Sequence, residues 1–295
     1  MKVLSPAKIN LFLQITGKRA DGYHELVSLM SCIDLYDVLW FDFNATGISV
    51  RCDHPDVPDD ADNIVHKAAT LFYDHLKTKK GDQFNNGLQD GVSILLEKHI
   101  PVAAGLGGGS SNAGQTLMQL NRFYGNPVDM ATLNRMAVAI GADVPFFLRG
   151  IPAIATGIGE RLSPFHGLPT QNMLIVCPDI AVSTAVVYKK LNLGLTKCKK
   201  QLKNFLFDKP GFDVTQHLCN DLETVTVPIF PIISNIKNEL IRSGAVAALM
   251  SGSGPTVFGI YADAREARRA CDRLSRYDHR RVYVVQTLSG CCVSA

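Results

Sequence analysis

PVAAGLGGGSSNAG, residues 101–114, lies between an apolar run of strand character, Val92-Ser93-Ile94-Leu95-Leu96, and a run with Leu117, Met118 and Leu120 at helical spacing. Glycine tolerates positive φ and lets a ligand come close to the main chain. Gly105, Gly107, Gly108 and Gly109 therefore describe a tight loop, and Ser110 or Ser111 can cap the helix that follows. A helix N-terminus presents unpaired N–H groups and a partial positive charge. Loop and helix start together make an anion cradle, and phosphate is the anion such cradles take.

The loop fits neither common phosphate-binding pattern. A Walker A loop ends in Gly-Lys-Ser/Thr, and no Lys follows these glycines before the helix. The dinucleotide pattern started at Gly105 requires a glycine where Ser110 stands. Phosphoryl chemistry here needs a cation from elsewhere in the chain. Residues 5–16, SPAKINLFLQIT, offer one. Ile9, Leu11 and Leu13 alternate with Lys8, Asn10 and Phe12 at the period of a strand. Lys8 and Asn10 then share the face opposite the aliphatic residues. A solvated edge strand with a stray lysine would read the same way.

Other stretches invite chemistry less directly. GKRADG, residues 17–22, is a turn by composition, and Tyr23 and His24 follow it, as a ligand platform or as a packed Tyr beside a surface His. Asp143 falls between a helix stop at Gly141 and the apolar Val144 to Phe147, where a carboxylate is a turn or cap residue, or is functional. A second glycine turn, Ser251-Gly252-Ser253-Gly254-Pro255, sits between two strands and suggests close backbone approach to the first.

Along the chain, residues 26–53 read as several strands. A helix capped by Asp62 is expected from about Asn63 to Lys80, and a polar loop over Gly81 to Gly91. Pro164 to Asn172 is the best domain boundary, giving domains 1–165 and 166–295. The second domain reads as an open-faced α+β sandwich. With 46% hydrophobic and 19% charged residues, the 295-residue chain can bury a large core. Its net charge of +3 gives no case for nucleic acid or a membrane surface. No run has the length of a membrane span, and the N-terminus lacks a signal-like apolar region. The basic groups at Lys197, Lys199, Lys200, Lys203 and Arg265 to Arg281 read as solvated faces. The eight cysteines form no Cys-x-x-Cys pair, so reduced thiols in a cytoplasmic protein are expected and a zinc site is not.

Three blocks in order, PAKINLFL (6–13), PVAAGLGGGSSNAG (101–114) and SGSGPTVFG (251–259), resemble the GHMP kinases, small-molecule kinases without a Walker lysine. RADGYHEL (19–26), GADVPFF (141–147) and NDLE (220–223) point to the branch whose acceptor carries cytidine diphosphate. The resemblance spans nearly the whole chain. It implies an α+β, two-domain fold: an N-terminal domain like the second domain of ribosomal protein S5, then a ferredoxin-like domain. It implies transfer of the γ-phosphoryl group of ATP, with Mg²⁺, to a methylerythritol 2-hydroxyl on the non-mevalonate route to isoprenoid precursors.

Site residues carried over from the resemblance are as follows. Lys8 and Asp143 would be catalytic, Lys8 stabilising developing charge and Asp143 orienting the attacking hydroxyl and taking its proton. ATP would meet Pro101, Val102, Ala103, Ala104, Gly105, Leu106, Gly107, Gly108, Gly109, Ser110 and Ser111, with Lys98 and Asn63 on the adenosine side. The acceptor would meet Asn10, Tyr23, His24, Thr184, Tyr188, Ser251, Gly252, Ser253 and Gly254. No protein carboxylate besides Asp143 stands out for the metal, and Ser110 or Ser111 is a candidate ligand. A monomer or homodimer is expected. The rival readings are a homoserine or mevalonate kinase, which lack a need for GYHE, and a catalytically silent relative, which has no need for both Lys8 and Asp143.

Overall fold

The structure, a computed structural model, describes residues 1–80, 91–196, 198 and 213–290. Most of the polar loop expected over 81–91 therefore lies outside the described residues, as do Lys197, Lys199, Lys200 and Lys203. The chain opens with β1 (Lys2–Lys18) and β2 (His24–Asp42), a long antiparallel hairpin. Sequence patterning suggested several strands over residues 26–53; Ile48-Ser49-Val50 does fall in a strand of its own, but residues 26–42 belong to β2. The structure bends one 19-residue strand instead, because register shifts at Pro6/Ala7, Asn10/Phe12 and Ile15/Gly17 curve the pair without ending it. Pro6, which has no N–H to donate, stands at the first shift.

The shift beside Leu11 also changes the expected alternation. Phe12 does not stay on the face of Lys8 and Asn10; it joins Ile9 and Leu11 in one buried core. Next come β3 (Gly47–Cys52), α1 (Ile64–Lys80), β4 (Gly91–Glu97), α2 (Gly108–Phe123), α3 (Met130–Ile140), α4 (Val144–Arg149), β5 (Ala153–Thr156) and β6 (Arg161–Pro164). The first sheet runs β3-β4-β2-β1-β8, where β8 is the two-residue strand Cys219–Asn220, with β5 on β2 and β6 on β5. Helices α1, α2 and α3 cover one face around Phe72, Leu76, Leu117 and Leu133. Burying each such side chain contributes roughly 1.5–3 kcal/mol.

Two helix starts differ from expectation. Asn63, not Asp62, caps α1, its Oδ1 accepting from the Val65 amide at 2.8 Å. Gly107, not a serine, precedes α2, at φ 68. The left-handed glycine turns the chain into the helix several residues early, so Ser110 and Ser111 lie inside its first turns.

The rest of the chain supplies β7 (Asn172–Pro178), α5 (Thr184–Lys190), β8 (Cys219–Asn220), α6 (Glu223–Ile229), α7 (Ile232–Arg242), β9 (Ala247–Met250), β10 (Val257–Tyr261), α8 (Ala264–Leu274) and β11 (Arg280–Gln286). Its sheet, β11-β7-β10-β9, is antiparallel throughout, with α7 before β9 and α8 between β10 and β11. That order is the ferredoxin-like one. The short β8 leaves it and pairs in parallel with β1. Between the sheets, Ile9, Leu11 and Leu106 share a core with Ile175, Phe258 and Ile260. Among the described residues no helix is long and apolar enough to cross a membrane.

The thiol expectation is corrected. Cys198 and Cys219, 21 residues apart, form a disulfide. Their meeting is tertiary: β8 docks on β1, while Gln14 Nε2 donates to the Cys198 carbonyl at 2.7 Å and Asp221 accepts from its amide at 2.9 Å. No local spacing could signal that pair. Cys32, Cys52, Cys177 and Cys271 are not in disulfides, and burial pushes the Cys177 thiol up to about 11.

Candidate active site

Strand β1, the glycine loop, the α3–α4 turn and α5 surround a cavity of about 1090 Å³. Lys8 enters it from the middle of β1, 4% exposed. Its amide donates to the Leu106 carbonyl at 2.8 Å, which ties the strand to the glycine loop. Its ammonium donates to Asn10 Oδ1 at 2.6 Å and lies 3.4 Å from Asp143 Oδ2. Asn10 is in turn held by Ser28: Asn10 Nδ2 donates to Ser28 Oγ at 2.8 Å, and that hydroxyl donates to the Phe12 carbonyl at 2.6 Å. Asn10 thus lines the cavity, but both ends of its amide already have protein partners.

Asp143 stands at the start of α4, yet its side chain makes no capping hydrogen bond. Pro145 in the first turn of α4 removes one amide that a cap would bind. The carboxylate is left facing Lys8 and the cavity, with its side chain 36% exposed. A turn aspartate would have been engaged by the helix amides.

Two aromatic rings also line the cavity. His24 and Tyr188 sit with centroids 5.6 Å apart, tilted by 41°. Burial pushes the Tyr188 hydroxyl well up, and the Asp143 charge adds to the effect, so the ring and the carboxylate share one region. Burial, then the charge of Lys18, pushes His24 down, which keeps its ring neutral through pH 7. A lowered histidine holds its stability contribution above the ordinary value of 6.5 and loses it as pH falls below that. Tyr23 is 61% exposed at the rim.

The two glycine turns meet. Ser251 Oγ donates to the Gly105 carbonyl at 3.1 Å, and the Thr256 amide donates to the Ala104 carbonyl at 3.4 Å. A Cβ on Gly105 would come 2.5 Å from the Ser251 carbonyl, so only glycine permits this approach. Asn220, from the NDLE block, holds the second turn by donating to the Met250 and Gly252 carbonyls at 2.9 and 2.7 Å. Asp221 of the same block accepts from the Ile15 amide at 2.9 Å. The block is scaffolding for both walls of the cavity.

The expected residues divide accordingly. Lys8, Asn10, Tyr23, His24, Ala103, Gly105, Gly107, Ser110, Asp143, Thr184, Tyr188, Gly252 and Ser253 line the cavity. Pro101, Ala104, Leu106, Gly108, Ser111 and Ser251 are buried around it, and Val102 and Gly109 are exposed on the loop. Gly254 packs on Met250. Asn63 and Lys98 do not reach the cavity with their side chains: Asn63 is engaged as the α1 cap and donates to Pro58 at 2.6 Å, and Lys98 is buried against Asp37. Ser111 is fully buried, its Oγ accepting from Ser5 Oγ at 2.7 Å, and Ser110 is the serine on the cavity wall. Ser28, Asp37 and Asn220 were not singled out in sequence as functional residues, because small polar residues in strands carry no pattern.

Gly107 gives a prediction. A Cβ there would meet Lys8 Cγ at 3.0 Å and Phe147 Cζ at 3.1 Å, at a φ that β-branched residues avoid. Gly107→Val is expected to raise the ATP KM and to lower kcat together, since it fills the cradle and displaces Lys8. Steady-state kinetics on a variant with native circular dichroism checks this; normal constants would make Gly107 an ordinary turn residue.

Comparison with known proteins bears on this arrangement. Residues 63–151 match the GHMP kinases N terminal domain and residues 206–279 the GHMP kinases C terminal domain. The chain is 44% identical to 4-diphosphocytidyl-2-C-methyl-D-erythritol kinase of Syntrophotalea carbinolica, over 97% of this chain and 98% of the relative. It is 41% identical to the enzyme of that name from Geobacter metallireducens, over 96% and 97% of the two chains. A crystal structure of 4-(cytidine 5'-diphospho)-2C-methyl-D-erythritol kinase superposes with a TM-score of 0.80 at 34% identity, covering 98% of this chain and all of the other. Homoserine kinase from Cytophaga hutchinsonii shares the fold, with a TM-score of 0.72 at 18% identity over 98% of this chain and 95% of the other. Glycine cradle, lysine–aspartate pair and two-sheet frame together with these likenesses make the chain a GHMP kinase, a member of the 4-diphosphocytidyl-2-C-methyl-D-erythritol kinase family.

Proposed function

We propose that this kinase phosphorylates the 2-hydroxyl of 4-diphosphocytidyl-2-C-methyl-D-erythritol, with ATP as donor, in the non-mevalonate route to isoprenoid precursors. One observation carries the reading. The Lys8–Asp143 pair and the His24–Tyr188 pair open into the same cavity, so a reacting hydroxyl and a nucleobase can be held at once.

Phosphoryl transfer needs alignment and charge neutralisation more than covalent help. The amides at the start of α2 and the Gly105–Gly107 backbone bind the triphosphate. Lys8, aimed by Asn10, faces the oxygens on which charge grows during transfer. Asp143 accepts a hydrogen bond from the acceptor hydroxyl, orients it in line and takes its proton. Mg²⁺ is a hard ion that takes oxygen ligands, and the Ser110 hydroxyl and the Asp143 carboxylate, both on the cavity wall, would offer it oxygens and let it neutralise phosphate charge.

Tyr188 stacks on the cytosine, and neutral His24 reads its polar edge. A base stacked on an aromatic contributes roughly 1–3 kcal/mol, and tenfold in affinity is about 1.4 kcal/mol. Tyr188→Ala is therefore expected to raise the KM for the cytidine substrate by about tenfold to a hundredfold, and Tyr188→Phe to be nearly silent. The test is ADP release from ATP with a panel of acceptors: the cytidine substrate, homoserine and mevalonate. Turnover confined to the cytidine substrate, with the Tyr188→Ala effect on its KM alone, supports the reading. Preference for homoserine or mevalonate would overturn it.

A further inference from the structure

We infer that Asp37 is a positioning residue for the phosphate loop, a buried carboxylate that closes the two ends of the loop on each other. It stands in the second half of β2 and is fully buried. Its two oxygens face opposite ends of the glycine stretch. Oδ1 accepts from the His99 and Ile100 amides at 2.9 and 2.8 Å, the residues that lead into Pro101. Oδ2 accepts from Asn112 Nδ2 at 3.0 Å, in the first turns of α2, where the loop ends. The loop thus begins and ends on one side chain, so its span is set by a single rigid group.

Lys98 completes the clamp. Its ammonium pairs with Asp37 Oδ2 and donates to Asn112 Oδ1 at 3.2 Å. A Cβ on Gly108 would come 3.2 Å from that ammonium, so Lys98 lies directly under the first residue of α2. A cation beneath a helix N-terminus is repelled by the helix dipole. Asp37 offsets that repulsion, and a buried ammonium without it would be uncompensated. Ser5 joins the same group, accepting from Asn112 Nδ2 at 2.9 Å and donating to Ser111 Oγ. Strand β1, strand β2, the segment before the loop and helix α2 are all tied here.

The clamp does not touch the cavity, so its effect on a nucleotide runs through the position of the α2 amides. Those amides can bind phosphate oxygens only within a few tenths of an ångström of the right place. The clamp rests on the assignment of the glycine loop to ATP, and not on the identity of the acceptor. Asp37→Asn separates the two ends: its amide oxygen can still receive the His99 and Ile100 amides, while its NH₂ faces the donors of Lys98 and Asn112. Asn112→Ala removes the tether to α2, together with the Asn112 contacts to Lys98 and Ser5, and keeps the Asp37–Lys98 pair, with a residue that favours the helix.

The experiment is calorimetric titration of each full-length variant with Mg²⁺ and a non-hydrolysable ATP analogue, with no acceptor present. Kinetics with the cytidine substrate and melting temperatures accompany it. Asp37→Asn is expected to weaken nucleotide binding about tenfold or more and Asn112→Ala about three- to tenfold, with the KM for the acceptor within twofold of the parent. A merely structural carboxylate would lower the melting temperature and leave nucleotide affinity unchanged, and that result overturns the inference. If Asp37→Asn does not fold, Asn112→Ala decides alone: parental nucleotide affinity in that variant overturns it. Normal nucleotide binding in the parent protein without turnover of the cytidine substrate would count against the acceptor assignment and leave the clamp standing.

Discussion

Asp143→Asn is expected to lower kcat by about 10²–10⁴-fold, the range for removal of a general base, with ATP still bound at near-parental affinity. The structure sharpens the reason. Asp143 makes no cap hydrogen bond to α4, so its replacement takes nothing from the helix. Asn keeps the shape and can still hold a hydroxyl by hydrogen bonding, but it neither takes a proton nor carries the charge that faces Lys8 3.4 Å away. In a loose transition state the acceptor hydroxyl loses its proton late, so part of the loss reflects orientation alone. Single-turnover kinetics with a nucleotide-binding measurement separates the two. An Asn variant with near-parental turnover would remove Asp143 from the chemistry.

Lys8→Met is expected to have the second-largest effect, a fall in kcat of roughly 10²–10³-fold, as for other lost electrostatic stabilisers, with little change in the ATP KM. Lys8 is 4% exposed and fixed by Asn10, so its charge acts at one place rather than as a diffuse attraction for nucleotide. Methionine fills the same channel without the ammonium. Lys8→Arg should not rescue: Gly107 already lies so close that a Cβ there would meet the Lys8 stem at 3.0 Å, which leaves no room for a planar guanidinium. A variant in which only the ATP KM rises would make Lys8 a docking residue. Because the pair faces one reacting centre, the double variant should lose far less than the product of the two single losses.

The glycine loop, the helix after it and the lysine strand could be read directly from the chain. Each depends on local rules: glycines at 105, 107, 108 and 109 demand unusual backbone, and the alternation around Lys8 demands a strand. The alternating Ser-Gly turn at 251–254 likewise announced a close backbone approach, and its partner is Gly105. Strand and helix periods gave an open-faced α+β sandwich for the second domain, and the ferredoxin-like order that its sheet has was implied by the resemblance to the GHMP kinases. Asp143 was visible as a carboxylate in an unlikely place, though the sequence could not tell a cap from a free group.

What needed the tertiary structure is of another kind. The bulge beside Leu11 that moves Phe12 into the core depends on pairing between strands, not on either strand alone. The helix start at Gly107 depends on the left-handed turn that β1 and Phe147 crowd from outside. Cys198 meets Cys219 only because β8 crosses to the first sheet. Lys98 and Asn63, which the resemblance put on the adenosine side, are engaged within the protein by Asp37 and by the start of α1. Ser28, Asp37 and Asn220 act through partners between 16 and 75 residues away. A sequence specifies such groups by residue type but not by neighbour, and a hydrogen bond has meaning only once both ends have been brought together. Local backbone demands are therefore written in the chain, while the aim of Lys8 and the closure of the phosphate loop were decided by packing.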